Sequence, residues 1–179
     1  MTGTVTETMT QVTTVDETVT TTITTTITST VSGGGGGGCV LQGSLITLAN
    51  GTDVAVQNVV PGMTVLSYDT SLGQLIPTTV TSNAGNVTSS VLDINNGTLF
   101  ASGPLDQRVF VMFSNGTTSW IPIQYMQVGM SVFEPLSGTW LPVVSLNWVS
   151  GAFTVYDLRT DSTSANNYIA NGILMDVKI

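Results

Sequence analysis

Apolar and polar residues alternate through two stretches of the chain, residues 50–80 and 115–145. Val54 and Val56 in the first, and Ile121 and Ile123 in the second, have polar or small neighbours, which is the pattern of strands with one buried face. Asn-Gly pairs, which favour tight hairpin turns, begin at residues 50, 96, 115 and 171. No window has a convincing helical period. The sequence therefore predicts an all-β domain of about 140 residues, which is large enough to bury its own core.

The two stretches are near copies of each other. The first begins with Asn50-Gly51-Thr52 and continues to Gly62-Met63-Thr64-Val65. The second begins with Asn115-Gly116-Thr117 and continues to Gly129-Met130-Ser131-Val132. The copies stay in register apart from a shift of two residues. One folding unit used twice predicts a pseudo-two-fold β structure.

Two further segments carry a resemblance to a known family. One starts at Cys39 and runs to Asn50-Gly51; the other comprises Val155-Tyr156-Asp157-Leu158 and the residues from Asn167 to Leu174. Together they resemble the Hint superfamily, the Hedgehog/intein autoprocessing fold. The resemblance implies a pseudo-two-fold Hint fold over residues 39–179. It also implies an N-to-S acyl shift, in which the thiolate of Cys39 attacks the carbonyl of Gly38.

The chain departs from this family at its catalytic positions, because it contains no histidine. The family's Thr-x-x-His motif matches Pro104-Leu105-Asp106-Gln107, where Pro104 has no hydroxyl and the amide of Gln107 is no general acid. The family's terminal His-Asn pair is replaced by Met175-Asp176. Positioned proton transfer contributes ~10²–10⁴ to rates. We therefore expect Cys39 to be a vestigial nucleophile and the domain to be a degenerate Hint domain rather than an enzyme.

Residues 1–32 are mostly Thr with regularly spaced Val and Ile, and the glycines of residues 33–38 form a linker to the domain at 39–179. Apart from Val12, the Val and Ile residues fall on odd positions, and the even positions up to residue 30 carry Thr except at Val12 and Asp16, as in an extended strand with one Thr face. A helical coiled coil and disorder are the alternatives. A strand of about 30 residues would span ~100 Å and need a sheet edge outside its own domain. This favours strand addition between identical subunits, with the assembly contacts at Val15, Val19, Ile23, Ile27 and Val31.

Two functions follow from these predictions. The main interpretation is a structural subunit of a surface or extracellular filament, or of a virion, with contact to a host surface or receptor. The alternative is a Hint autoprocessing domain acting at Gly38–Cys39. A mass measurement of the protein distinguishes the two hypotheses, because the second predicts two fragments and the first predicts one intact chain.

Composition narrows the classes of partner and ligand. Lys and Arg together number three and the net charge is −8, which argues against binding to nucleic acid. With one cysteine and no histidine we expect no metal or other cofactor, and no apolar run is long enough to span a membrane. The one cysteine can form a disulfide only between chains. Four Asn-x-Ser/Thr sequons mark candidate glycosylation sites at Asn50, Asn86, Asn96 and Asn115.

Overall fold

The N-terminal unit of the chain contains a β-hairpin. A computed structural model describes residues 3–11, 23–31, 39–162 and 165–177, and divides the chain into residues 1–35 and residues 36–179. Strand β1 (Gly3–Gln11) pairs antiparallel with β2 (Ile23–Val31), from Gly3 opposite Val31 to Gln11 opposite Ile23. The predicted extended conformation is confirmed for these two strands.

Residues 1–32, called the arm below, are thus not one continuous strand where the structure describes them. Ile23, Ile27 and Val31 lie on β2, whose backbone groups pair with β1 of the same chain. Val15 and Val19, like the glycine linker, lie outside the described residues. Part of the hydrogen bonding that the sequence argument assigned to a neighbouring subunit is therefore satisfied within the chain itself.

The second unit is built from thirteen strands and two short 3-10 turns, as the all-β prediction required. Its strands are β3 (Cys39–Leu41), β4 (Leu45–Thr47), β5 (Asp53–Ala55), β6 (Thr64–Asp69), β7 (Gln74–Ile94), β8 (Leu99–Ser102), β9 (Arg108–Met112), β10 (Thr118–Pro122), β11 (Ser131–Glu134), β12 (Thr139–Pro142), β13 (Leu146–Thr160), β14 (Asn167–Ala170) and β15 (Ile173–Asp176), and its 3-10 turns are Val56–Asn58 and Ile123–Tyr125. Among the residues described, no helix has the length and apolarity needed to cross a membrane.

These strands form two sheets. The first has the order β12-β11-β9-β15-β14-β4-β5, with β10 added to β9. The second has the order β13-β3-β8-β7-β6, and its long strands β7 and β13 also pair directly, from Leu146 opposite Ile94 to Thr160 opposite Val80. The main core contains fully buried Ile46, Leu99 and Ile173. Strand β3, which begins with Cys39, lies between β13 and β8.

The internal duplication is a structural repeat as well as a sequence repeat. In the first copy the Thr52 N–H and hydroxyl donate to Asn50 Oδ1 at 3.0 and 2.7 Å. In the second copy Thr117 donates to Asn115 Oδ1 at 3.0 and 2.7 Å. Each turn is followed by a strand and then by one of the two 3-10 turns. The pseudo-two-fold prediction is confirmed down to individual hydrogen bonds.

The candidate glycosylation sites all lie at the surface. Asn50, Asn86, Asn96 and Asn115 are exposed. Asn50 and Asn115 use their side-chain oxygen to stabilise their own turns, which a glycan on the nitrogen would leave intact. Glycosylation at these positions stays a prediction.

Candidate active site at Cys39

Cys39 occupies a defined position at the start of β3. Its side chain is 4% exposed and packs in a small apolar cluster with Val91 and Val155. Because β3 is only three residues long and lies between two other strands, the residues opposite Cys39 are set by the sheet register. Gly38, which precedes Cys39, lies outside the described residues.

Ser102 and Asp157 flank Cys39 on the two neighbouring strands. Ser102 on β8 is the direct partner of Cys39 and is buried. On β13, Tyr156 is opposite Val40, so the antiparallel register continued by one residue places Asp157 opposite Cys39. Directly opposed residues in an antiparallel pair point to the same face of the sheet. A hydroxyl and a carboxylate therefore lie on the same face as the thiol.

Only one of the two carboxylate oxygens of Asp157 has a hydrogen-bond partner among the described residues. Its Oδ2 accepts a hydrogen bond from the Arg159 guanidinium at 3.2 Å, which is also an ion pair. Its Oδ1 is buried and has no hydrogen-bond partner among the residues that the structure describes. One carboxylate oxygen of Asp157 is thus available to accept a hydrogen bond.

The sequence resemblance matches Gln107 to the family's histidine. Gly103 adopts a φ of +83° after β8, and its carbonyl accepts the Gln107 N–H at 2.8 Å, so the chain turns back and buries the Gln107 side chain completely. The Gln107 Nε2 donates to the carbonyls of Arg108 at 2.9 Å and Asp176 at 3.1 Å, while Oε1 is buried without a partner in the described part of the chain. The amide holds β15 in place but cannot transfer a proton.

Tyr168 on β14 packs in the main core, whereas Cys39 packs in the small cluster with Val91 and Val155. Tyr168 is 1% exposed, and its hydroxyl has no hydrogen-bond partner within the described ranges. Burial, followed by negative charge on Cys39, Asp157 and Asp176, raises the pKa of Tyr168. Cys39, Asp157 and Asp176 therefore each lie within electrostatic range of the Tyr168 hydroxyl, although they belong to different strands of the two sheets.

Asp176 is the acid of this group that titrates near neutral pH. It ends β15 opposite Asn167 and is partly buried. Burial raises the pKa of Asp176 from 3.8 to about 6, and the positive charge of Arg108 opposes that rise. The sequence resemblance identified Asp176 only as the residue that replaces the family's terminal Asn. With a pKa of about 6, Asp176 changes its charge in the pH range where a histidine ordinarily does.

The remaining predicted positions are not part of this group. Pro104 is exposed in the turn after β8, where its carbonyl accepts the Gln124 N–H at 3.1 Å. Met175 is fully buried in the main core. Ser102 was missed as a site residue, because only the strand register brings it opposite Cys39. Within the described ranges, no cluster of His, Cys, Asp and Glu could hold a metal ion.

The comparisons with known proteins agree with this architecture. No family model and no curated protein matches the chain. Similar solved structures include a DnaB intein from Synechocystis sp. PCC 6803, with 17% identity, a TM-score of 0.62 and coverage of 79% of this chain and 99% of that one. They also include a bacterial intein-like domain from Clostridium thermocellum, with 20% identity, a TM-score of 0.65 and coverage of 77% and 97%.

A third similar structure is the TvoVMA intein, with 18% identity, a TM-score of 0.64 and coverage of 78% of this chain and 96% of that one. These likenesses contradict the main functional interpretation of the sequence, a filament subunit, and favour the alternative, autoprocessing. The error began in the arm, which was assumed to need a neighbour's sheet edge, whereas β1 and β2 pair with each other. The second unit of this chain has the Hint fold, the fold of inteins and intein-like domains.

Proposed function

We propose that the second unit is an autoprocessing domain that acts on the peptide bond between Gly38 and Cys39 by an N-to-S acyl shift. The observation that carries this proposal is the register that places Asp157 opposite Cys39, because the Oδ1 of Asp157 is buried and has no partner in the described part of the chain. An unsatisfied buried group costs ~1–3 kcal/mol. Its presence opposite the one cysteine supports a site kept for chemistry.

The reaction balances without any co-reactant. The Cys39 sulfur attacks the carbonyl carbon of Gly38, and the bond between that carbon and the Cys39 nitrogen breaks. The thiol proton ends on that nitrogen, so the product is an isomer in which a thioester joins Gly38 to the Cys39 side chain. Water then hydrolyses the thioester, which releases residues 1–38 with a terminal carboxylate and regenerates the thiol.

The residues around Cys39 supply two of the functions that this reaction needs. Asp157 is opposite Cys39 in register, and its unpartnered Oδ1 is an acceptor for the thiol proton. Asp176 is protonated below about pH 6, and we assign it as the proton source for the leaving nitrogen. The proton that Asp157 takes from the thiol then returns to Asp176 through solvent, so the net transfer is from the thiol to that nitrogen. Gln107 can orient neighbouring groups but cannot serve as the acid. We therefore propose that the domain is slow rather than inactive, which revises the expectation drawn from the missing histidine.

The test is intact-mass analysis of the purified full-length chain. The sample is incubated for several days between pH 5 and pH 8, with and without dithiothreitol, which intercepts thioesters. We expect two fragments divided at Gly38–Cys39, faster release with dithiothreitol, and no release from the Cys39→Ala variant. A wild-type chain that stays intact under all conditions, or a cleavage that Cys39→Ala leaves unchanged, would refute the proposed function.

A further inference from the structure

The chain contains four Asn-Gly pairs, and one of them has an environment that the other three lack. The pairs begin at Asn50, Asn96, Asn115 and Asn171. Glycine has no side chain to shield its backbone nitrogen, so in such a pair this nitrogen can attack the side-chain carbonyl of the preceding Asn. The hydrogen bonds of the folded chain decide which pairs are able to react.

Three of the pairs have a side-chain amide that the fold holds in place. In the two repeated turns, the side-chain oxygens of Asn50 and Asn115 each accept two hydrogen bonds from the threonine two residues later. The side chain of Asn171 is held at both ends, because its Oδ1 accepts the Leu45 N–H at 2.6 Å and its Nδ2 donates to the Thr98 carbonyl at 2.9 Å. Each of these amides must break a hydrogen bond before it can rotate.

Asn96 differs from these three residues in its side chain. It is exposed in the turn between β7 and β8, and its amide makes no hydrogen bond within the described part of the chain. The amide can therefore rotate toward the nitrogen of Gly97 without losing a contact.

The glycine nitrogen of this pair also has a different partner. The Gly97 N–H donates to Asp93 Oδ1 at 2.6 Å, whereas the glycines of the two repeated turns donate to backbone carbonyls at 2.9 Å. An ionised carboxylate is a proton acceptor and a peptide carbonyl is not, at neutral pH. Only at Asn96 are an uncommitted amide and a basic partner for the glycine nitrogen combined among the three turns.

We propose that Asn96-Gly97 is a site of spontaneous modification, in which the Asp93 carboxylate takes the proton of the Gly97 nitrogen and that nitrogen attacks Asn96 Cγ. The new carbon–nitrogen bond closes a succinimide ring. The bond between Cγ and Nδ2 breaks, and Asp93 returns the proton to Nδ2, which leaves as ammonia. Water then opens the ring at either of its carbonyls, so the products are aspartate and isoaspartate at position 96.

The modification changes both the charge and the chemistry of this turn. A neutral amide becomes a carboxylate on a chain whose net charge is already −8. Asn96 is also the first residue of the sequon Asn96-Gly97-Thr98, whose amide nitrogen would carry an N-linked glycan. Loss of that nitrogen removes the sequon, so the two modifications exclude each other.

Peptide mapping of the full-length, unglycosylated chain tests the proposal. The protein is incubated for weeks at pH 7.5, and aspartate and isoaspartate are quantified at the four Asn-Gly pairs by tandem mass spectrometry. In the folded protein, conversion at Asn96 should be ~10-fold or more faster than at the other three, which must first break hydrogen bonds. In denaturing urea the four rates should become similar. Equal rates in the folded protein, faster conversion at another pair, or a preference for Asn96 that persists in urea would overturn the proposal.

The Asp93→Asn variant tests the proton acceptor, because it keeps the size of the side chain and removes its basicity. Conversion at Asn96 should slow ~10-fold, less than the ~10²–10⁴ of a protected site, since solvent bases also reach this exposed turn. Asp106→Asn, at an exposed position in another turn, is the matched control and should leave the rate unchanged. An unchanged rate in Asp93→Asn would overturn the assigned role of Asp93. All four pairs lie within residues 39–179, so these measurements give the same answer whether or not residues 1–38 are released.

Discussion

Replacing Asp176 with asparagine should stabilise the second unit at neutral pH. Asp176 is partly buried at the end of β15, and burial raises its pKa from 3.8 to about 6 despite the opposing charge of Arg108. The folded state therefore prefers the protonated acid. Asparagine has nearly the same shape and cannot ionise, so Asp176→Asn keeps the packing while removing the cost of a buried charge.

The sign and size follow from proton linkage. The folded pKa lies above the unfolded one, so between about pH 4 and pH 6 the folded state binds more protons than the unfolded state and loses stability as the pH rises. A rise of that size corresponds to at most about 3 kcal/mol at 1.36 kcal/mol per pH unit. Because solvent reaches part of the carboxylate and screens it, we expect a gain of about 1–2 kcal/mol for Asp176→Asn at pH 7.5.

Urea unfolding of both proteins at pH 4, 5, 6 and 7.5 measures this effect. The difference between the two proteins isolates Asp176 from the other acids that titrate in this range. It should be small at pH 4 and grow until about pH 7. Asp106→Asn, at an exposed position in the turn before β9, is the control and should show no such growth. A difference that is constant with pH, or that favours the wild type at pH 7.5, would refute the linkage.

Three further changes test the fold and the site. Asn167→Ala removes an amide whose Oδ1 accepts the Tyr68 N–H at 2.8 Å and whose Nδ2 donates to the Tyr68 carbonyl at 2.9 Å. Its loss should lower the free energy of unfolding measured in urea by about 2–4 kcal/mol. The control Asn86→Ala, at an exposed position, should lower it by less than about 0.5 kcal/mol. Gly51→Ala and Gly116→Ala, at φ of 82° and 83° with open space around each Cβ, should each cost about 1–2 kcal/mol in calorimetry, and clearly unequal costs would argue against equivalent turns. Gln107→His restores an acid at a fully buried position and should raise the rate of fragment release ~10²–10⁴-fold by intact mass; an unchanged rate would place the limiting step elsewhere.

The sequence predicted the features that are local or repeated. The alternating stretches, the paired turns at Asn50 and Asn115 and the position of Cys39 at the start of a strand are all present in the structure. Each depends on residues close together in the chain, where period and turn chemistry act directly.

The features that the sequence could not give depend on contacts between distant segments. Ser102 and Asp157 lie opposite Cys39 only through the order and register of the strands β8, β3 and β13. The prediction that the arm is one continuous strand was wrong for a different reason. The odd-position pattern of Ile23, Ile27 and Val31 has the same period in a single strand as in a hairpin, so it could not show that β1 pairs with β2.

The absence of histidine therefore removes one contribution to the rate of the proposed reaction, and not all of them as the sequence suggested. Proton donation to the leaving nitrogen and stabilisation of the oxyanion are separate contributions, worth ~10²–10⁴ and ~10²–10³ in rate respectively. Gln107 cannot supply the first, and Cys39 itself packs against Val91 and Val155. Asp157, opposite Cys39 in register, still keeps an oxygen without a partner in the described part of the chain, and burial still raises the pKa of Asp176 to about 6. A site that had only decayed would gain stability by replacing these groups with apolar residues, since each is costly to bury. Their presence argues for a reaction that is slow and faster in mild acid, where Asp176 carries its proton.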